Sequence, residues 1–328
     1  MADDIPLPDG AWSRSGKRTH WTEHQVVTFF DSGGSAPYPR IWLTSDVHTD
    51  REENLEWVRS LPPHLDDALL VAGDVSQSLA MLEETLRLFV RKFKRVFFTP
   101  GNHDLWVPTD ERLATPDSLR KLDAIQTMCA RIGVSMEPEL LRGDLEHSPV
   151  AQSVGNSRPG LWILPLLSWY DLSLDLTTIE PSLAPRAADM ANFTFTDFAL
   201  CRWPASMERA ANTLTGKYPS GVAAHMASLN DSAVSFVAQQ LLCDDRGDSV
   251  LTFSHFLPNE QSLPDWLDPQ ASHFDGNWLD HPAGSTAVKF SKVAGSKLID
   301  AQARARSSGS GSSGSGSSSS SSSGRSSS

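Results

Sequence analysis

Side chains that can bind metal ions or transfer protons follow three apolar segments of this sequence. Asp46 and His48 end the segment "RIWLTSDVH", Asp74 ends "LLVAGD", and Asn102 and His103 end "RVFFTPGNH". Residues i and i+2 of a strand point to the same face, so Asp46 and His48 would converge on one point beyond the strand end. A carboxylate such as that of Asp74 can bridge two cations, and imidazole and amide groups are further ligands. The residue types therefore suit a metal site, although each motif taken alone is more simply explained by capping or turn residues.

The spacing of these residues predicts how the fold positions them. Asp46, Asp74 and Asn102 follow one another at equal intervals of 28 residues. Each interval contains one amphipathic stretch, first "EENLEWVRSL" and then "SLAMLEETLRLFVRKF", which predicts alternating strands and helices around a parallel sheet. Open α/β sheets place their sites at the carboxyl edge of the strands, so all three clusters are expected to meet there. One such cluster can arise by chance, whereas three in order on consecutive strands are a strong signal.

The rest of the chain divides into a lead-in, a folded domain and a tail. Residues 1–38 are polar and turn-rich, and we expect a loosely structured lead-in with one edge strand at "HQVVTFF". Residues 39–306 form the predicted domain, which adds a helix capped by Asp117, strands at "LWILPLL" and "SVLTFSH", and helices at "SAVSFVAQQLLC" and "KVAGSKLIDAQARAR". Residues 307–328 contain only Ser, Gly and one Arg, so they cannot bury apolar area and are predicted to be disordered.

These motifs resemble those of the calcineurin-like metallophosphoesterases. The family pattern runs D-x-H, G-D, G-N-H-[DE], a later His and G-H-x-H; this chain has "DVH", "GDV" and "GNHD", and His255 in "LTFSHFLP" is the best match to the later His. The resemblance covers residues 40 to 305 and implies an α/β fold, namely a four-layer αββα sandwich with two mixed β-sheets. It also implies a dinuclear centre of Mn, Fe or Zn type, which hydrolyses phosphoester bonds as a phosphatase or phosphodiesterase with a metal-bridging hydroxide as nucleophile.

The resemblance implies a role for each matching residue. Asp46 and His48 would bind the first ion, Asp74 would bridge both ions, and Asn102 and His255 would bind the second. His103 would not be a ligand; as the catalytic residue it would protonate the leaving alkoxide, a task suited to a histidine.

Two positions depart from the family pattern near this site. Gln77 stands where many members have an Asp that steadies the catalytic His, and an amide supplies no charge to an imidazolium. Asp104 is a poorer substitute because neighbouring side chains point apart, although both residues are candidates for a supporting role. Ser78 replaces an Arg of the protein-phosphatase branch, so a small phosphoester is a better candidate substrate than a phosphoprotein.

A larger departure is that G-H-x-H occurs nowhere in the 328 residues. Each ion would lose one imidazole, and the domain would lack its C-terminal strands. His273 and His281 in "SHFDGNWLDHP" could substitute, but ordinary loop histidines are the better explanation. Three hypotheses follow: a working enzyme; a catalytically impaired binding or scaffold protein on the same fold; or a chain whose end is mis-assigned after Arg306.

Aromatic residues of the irregular region allow two interpretations. Trp169, Tyr170 and Trp203 could line a substrate cleft, or they could fix a long loop to the core.

Composition limits the partners and the compartment. The formal net charge of −12 disfavours nucleic acid as a partner. Three distant cysteines form no CxxC pair, the start "MADDIPLPDG" has no signal-peptide pattern, and no apolar run is long enough to span a membrane. We therefore expect a cytoplasmic protein without a membrane partner, of an oligomeric state that the sequence leaves open.

Overall fold

A four-stranded sheet carries the first three motifs. The computed structural model describes residues 27–29, 40–142, 159–176, 195–207, 209–210, 217–218, 221–244, 247–262 and 290–304. The strands are β1 (Val27–Phe29), β2 (Ile41–Thr44), β3 (His64–Ala72) and β4 (Phe93–Thr99), in the spatial order β1-β2-β3-β4. β1 is antiparallel to β2, whereas β2, β3 and β4 are mutually parallel. The motif residues therefore follow three neighbouring carboxyl ends, as the spacing predicts.

Three helices connect and follow these strands as predicted. They are α1 (Glu52–Ser60), α2 (Leu79–Lys92) and α3 (Ser118–Ile132). α2 forms because Leu82, Leu86 and Phe89 recur at helical spacing and are fully buried on one face. The Asp117 carboxylate accepts the Arg120 backbone N–H at 2.8 Å, which confirms the predicted cap of α3.

The later part of the chain forms a second sheet, a short hairpin and three further helices. The second sheet has the order β5-β6-β9, with β5 (Glu139–Leu141) antiparallel and β9 (Ser249–Phe253) parallel to β6 (Leu161–Pro165). The remaining elements are β7 (Arg209–Ala210), β8 (Lys217–Tyr218), α4 (Asp197–Leu200), α5 (Val222–Leu242) and α6 (Lys297–Arg304). Short 3-10 turns lie at His103–Leu105, Leu172–Leu174, Ala205–Met207 and Glu260–Ser262.

The two larger sheets pack face to face. Their shared core consists of alternate strand residues, namely Ile41, Ala68, Leu70, Ala72, Phe97, Leu141, Ile163 and Phe253. The intervening residues Leu69 and Val71 of β3 join a second core with the helices. β3 is therefore buried on both faces, which explains its continuous apolar sequence. The predicted α/β fold with two sheets is confirmed, and both sheets are mixed.

Some element boundaries differ from the prediction. α5 begins at Val222, ten residues before the predicted stretch, because Val222, Met226 and Asn230 are buried on one face of the same helix. α6 begins only at Lys297. The short strand β5 was not predicted, since three residues carry too little periodicity to identify a strand.

The aromatic residues of the irregular region belong to the core. Trp169 and Tyr170 are 1% and 0% exposed, and the Trp169 ring contacts those of Trp203 and Phe256. Of the two interpretations, the structure supports the one in which they fix the chain to the core.

Several predictions fall on residues outside the described ranges. These are His273, His281, the tail 307–328 and most of the lead-in 1–38. The domain limits and the lack of C-terminal strands also stay predictions. Among the described helices, none combines the length and the apolar character needed to cross a bilayer.

Candidate metal centre

The loop after β2 adopts a costly backbone conformation at the candidate ligands. Asp46 and His48 have φ values of 55° and 46°, and Asp74 after β3 has 55°. Among the described residues, no other non-glycine residue has a positive φ. Such conformations cost about 1–3 kcal/mol each and persist where the surrounding structure enforces them. Here the backbone N–H groups of Asp46 and His48 donate to the carbonyls of Gly73 and Asp74, both at 3.0 Å.

A buried carboxylate joins the loops after β3 and β4. Asp104 is 0% exposed and accepts four backbone N–H bonds, at 2.8 Å from Asp74, 3.0 Å from Val75, 3.0 Å from Ser76 and 2.8 Å from Gly101. Burial raises the pKa of Asp104, and the backbone hydrogen bonds oppose this shift. Asp104 thus supports the site through the backbone, and among the described residues no hydrogen bond joins it to the His103 ring.

The glycines of the second and third motifs permit close approach of these loops. A Cβ atom on Gly101 would lie 2.2 Å from Oδ1 of Asp74 and 2.8 Å from Nε2 of His255. A Cβ on Gly73 would lie 2.5 Å from the Gly101 nitrogen. Both positions therefore require glycine.

The structure brings the predicted metal ligands and His103 together around Asp74. Donor atoms of His48, Asp74 and His103 lie within 4.8 Å of one another, and so do those of Asp46, Asp74 and His255. The Asp74 carboxylate lies 3.5 Å from His255 Nε2, 3.9 Å from His48 Nε2 and 3.8 Å from His103 Nε2. Asp74 belongs to both groups, which is the geometry expected of a bridging ligand.

The hydrogen bonds of His255 and Asn102 leave two acceptor atoms facing each other. His255 Nδ1 lies 2.8 Å from the Ala72 carbonyl oxygen, so Nδ1 is the protonated nitrogen. Asn102 Nδ2 donates to the Asp197 carboxylate at 2.9 Å, so the amide oxygen is the atom that faces inward. His255 Nε2 and Asn102 Oδ1 are 3.1 Å apart, a pairing that needs a proton or a cation between them.

The charges at the centre also fit a divalent cation. Burial raises the pKa of Asp74, and the nearby carboxylates of Asp104 and Asp46 raise it further while His255 lowers it. Within the described part of the chain, every ion-pair partner of Asp74 is a histidine. Burial lowers the pKa of His255, but Asp74 and Asp46 outweigh this effect, so its pKa lies above the ordinary value. A buried carboxylate without a fixed cationic partner is costly, and metal ions would supply the missing charge.

His103 is held by ring packing. Its imidazole stacks on the Trp106 indole with centroids 3.6 Å apart, and it meets the His48 ring edge-on at 4.6 Å. No described residue hydrogen-bonds the His103 ring. Burial lowers the pKa of His103 to about 3, and the positive charges of His48 and His255 act in the same direction.

Gln77 supports the loop through its backbone. Its N–H lies 3.3 Å from the Asp50 carboxylate, and its carbonyl accepts from Lys121 Nζ. Among the described residues, no hydrogen bond joins the Gln77 side chain to His103, so neither proposed substitute steadies that ring directly.

Two functional neighbours were missed by sequence reasoning. Asp197 in α4 is 1% exposed, and its Oδ1 accepts from Asn102 Nδ2 at 2.9 Å and from Trp106 Nε1 at 2.6 Å. Lys121 in α3 is fully buried, donates to the carbonyls of Gln77 and Trp106, and pairs with Glu111 at 3.0 Å. In the sequence, Asp197 is a single charge in the apolar stretch "FTFTDFAL", and Lys121 lies among other charged residues of α3; neither pattern specifies a partner.

Parts of this chain are similar to known proteins. Residues 39–148 match the model of the family described as calcineurin-like phosphoesterase. A 97-residue segment is 36% identical to the [Acyl-carrier-protein] phosphodiesterase PptH of Mycobacterium tuberculosis, covering 29% of this chain and 30% of that relative. The match thus spans less than a third of the relative's length. A crystal structure of phosphopantetheinyl hydrolase (PptH) from Mycobacterium tuberculosis aligns with a TM-score of 0.48 and 24% identity over 69% of this chain and 71% of that one.

The sequence resemblance is therefore confirmed for residues 39–148, which match the calcineurin-like phosphoesterase family.

Proposed function

We propose that this protein is a metal-dependent hydrolase of phosphoester bonds. The observation that carries the proposal is the pair of acceptor atoms, His255 Nε2 and Asn102 Oδ1, that face each other at 3.1 Å beside the buried carboxylate of Asp74. Two neutral acceptors do not make this contact, so either a proton on His255 or a cation lies between them; a divalent cation would also offset the charge of the buried Asp74.

The ligands divide into two sets that share Asp74. Asp46, His48 and Asp74 would hold one ion, and Asp74, Asn102 and His255 would hold the other. Bound ions of Mn, Fe or Zn type would polarise a phosphoryl oxygen and lower the pKa of a water molecule. Catalytic sites tolerate open positions that water fills, so the remaining residues could still hold the ions, with an affinity weakened by the loss of one imidazole per ion.

His103 is the residue that we assign to proton transfer. Its side chain is 28% exposed, so it can reach a bound substrate, while Trp106 restrains the plane of its ring. Burial makes it neutral in the free protein. The negative charge of a bound substrate would raise its pKa, so that it takes up a proton from solvent. It would then donate that proton to the leaving alkoxide.

A phosphodiester is the favoured substrate class. The relative that matches 97 residues is named a phosphodiesterase, and its name specifies an acyl carrier protein. We therefore rank a small phosphodiester first, and a phosphodiester carried on an acyl carrier protein is the next substrate to assay.

The test is hydrolysis by the purified full-length chain loaded with Mn²⁺. Nitrophenyl phosphate and bis-nitrophenyl phosphate distinguish monoester from diester cleavage. His103→Ala is expected to lower kcat by about 10²-fold or more, as loss of a general acid predicts. His225→Ala, on α5, is the matched control and is expected to retain activity. A folded wild-type chain that cleaves none of these substrates would overturn the proposal and favour a binding or scaffold role.

A further inference from the structure

We propose that Asp197 is a positioning residue that orients both the metal ligand Asn102 and, through Trp106, the proton donor His103; this role rests on the proposed function. One carboxylate oxygen, Oδ1 of Asp197, accepts from both side chains. Sequence motifs do not identify Asp197, which lies 95 residues beyond Asn102.

Asp197 fixes which end of the Asn102 amide faces the centre. An Asn side chain can turn about its last bond, and either its oxygen or its nitrogen can then face the centre. Asp197 accepts only from an N–H, so the 2.9 Å bond to Nδ2 directs the oxygen of Asn102 toward His255 Nε2. Without Asp197, the amide nitrogen could face inward, and it cannot bind a cation.

Asp197 also restrains the ring of His103, through Trp106. The Trp106 indole N–H donates to the same Asp197 oxygen at 2.6 Å, and the indole face stacks on His103. Because no described residue hydrogen-bonds the His103 ring, this stacking is a principal restraint on its plane. Asp197 therefore acts on His103 through Trp106. Gln77 stands where many calcineurin-like phosphoesterases have the Asp that steadies this histidine.

Backbone hydrogen bonds hold α4 in place. The Val107 N–H donates to the Leu200 carbonyl at 3.0 Å, and Ser118 N–H donates to the Arg202 carbonyl at 2.9 Å. These bonds attach α4 to the segment that follows the third motif. The carboxylate of Asp197 is buried between α4 and that segment. A charge in such a position is unfavourable unless its hydrogen bonds offset burial.

The test is a calorimetric titration of the full chain with Mn²⁺. Asn102→Ala identifies the binding step that depends on Asn102. Asp197→Leu, of similar size but without an acceptor, is expected to weaken that step by about 10–100-fold, as loss of a supporting hydrogen bond does. The Mn²⁺ affinity of the other binding step is expected to be unchanged. Asp197→Asn keeps an acceptor oxygen and is expected to restore most of the affinity.

Asp67→Leu is the matched control for loss of a buried carboxylate. Asp67 is 4% exposed and also accepts an indole N–H, from Trp42 at 2.9 Å, but it lies toward the amino end of β3, away from Asp74. It is expected to lower stability without changing either Mn²⁺ step. If Asp197→Leu does not fold, Asp197→Ser, which is too short to reach Asn102, takes its place with the same expected loss.

The outcomes separate this role from the proposed function. If the wild type binds Mn²⁺ and folded Asp197→Leu binds it equally well, the role of Asp197 is wrong and the proposed function stands. An equal loss in Asp67→Leu would also overturn the role, since it would indicate general destabilisation. If the wild type binds no Mn²⁺, the proposed function fails and the role of Asp197 fails with it.

Discussion

At the scale of single residues, Gly101 shows how little space the centre leaves. A Cβ atom there would lie 2.2 Å from Asp74 Oδ1 and 2.7 Å from the Asp74 backbone nitrogen. Asp104 holds both backbone segments, so the loops cannot separate without breaking its hydrogen bonds. We expect Gly101→Ala to weaken Mn²⁺ binding at least about 10-fold, because the displaced side chains of Asp74 and His255 would no longer converge on one position. Calorimetric titration of the folded variant measures this loss.

Gly133 provides the control for that substitution. Gly133 has a φ of 81° at the end of α3, and nothing lies within 4 Å of the position of its Cβ. Gly133→Ala is expected to cost about 1–2 kcal/mol of stability through backbone strain alone, with Mn²⁺ affinity unchanged. Gly101→Ala with wild-type affinity would show that the loops adapt more easily than the contacts imply.

At the scale of elements, Lys121 connects α3 to the loops that follow β3 and β4. Its buried ammonium group donates to the Gln77 and Trp106 carbonyls and pairs with Glu111. Lys121→Met would leave Glu111 and two carbonyls without this partner. We expect the free energy of unfolding to fall by about 3–5 kcal/mol, as when one member of a buried ion pair is removed. Urea denaturation of the metal-free chain measures the change.

Arg120 is the matched control on the same helix. Its side chain is 69% exposed, and it lies 3.4 Å from Asp123, which is 62% exposed. Arg120→Met is expected to change the free energy of unfolding by less than about 1 kcal/mol, since exposed ion pairs contribute little. A similar small effect of Lys121→Met would contradict the proposed connection.

The elements nearest the site could be predicted because their signals are local. The apolar runs of β2, β3 and β4 and the helical spacing of α1, α2 and α3 each lie within one short window. By contrast, β5 is three residues long, and the start of α5 depends on burial against β6 and α6. Such tertiary contacts override local preference, which explains these misses.

At the scale of the whole molecule, burial determines which cysteines can react. Burial raises the pKa of the Cys129 thiol to about 12 and raises that of Cys201, whereas Cys243 is exposed. The thiolate is the reactive form, so at pH 8 about one Cys129 in 10⁴ is a thiolate. We expect iodoacetamide to modify the folded chain at Cys243 and to reach all three cysteines only in denaturant.

Mass spectrometry of tryptic peptides locates the label. Rapid native labelling of Cys129 would show that α3 opens readily, which would contradict its packing in the core.

The sequence by itself determined the order of strands and helices around the first sheet and the identity of Asp74 and the five candidate residues around it. It could do so because periodicity is local and because the motifs follow consecutive parallel strands. Only the tertiary structure brought Asp197 to Asn102 and Trp106, buried Lys121 between two loops, and placed Trp169 and Tyr170 in the core. These contacts join residues far apart in the chain. No sequence pattern predicts which residue a single buried charge or aromatic side chain will contact.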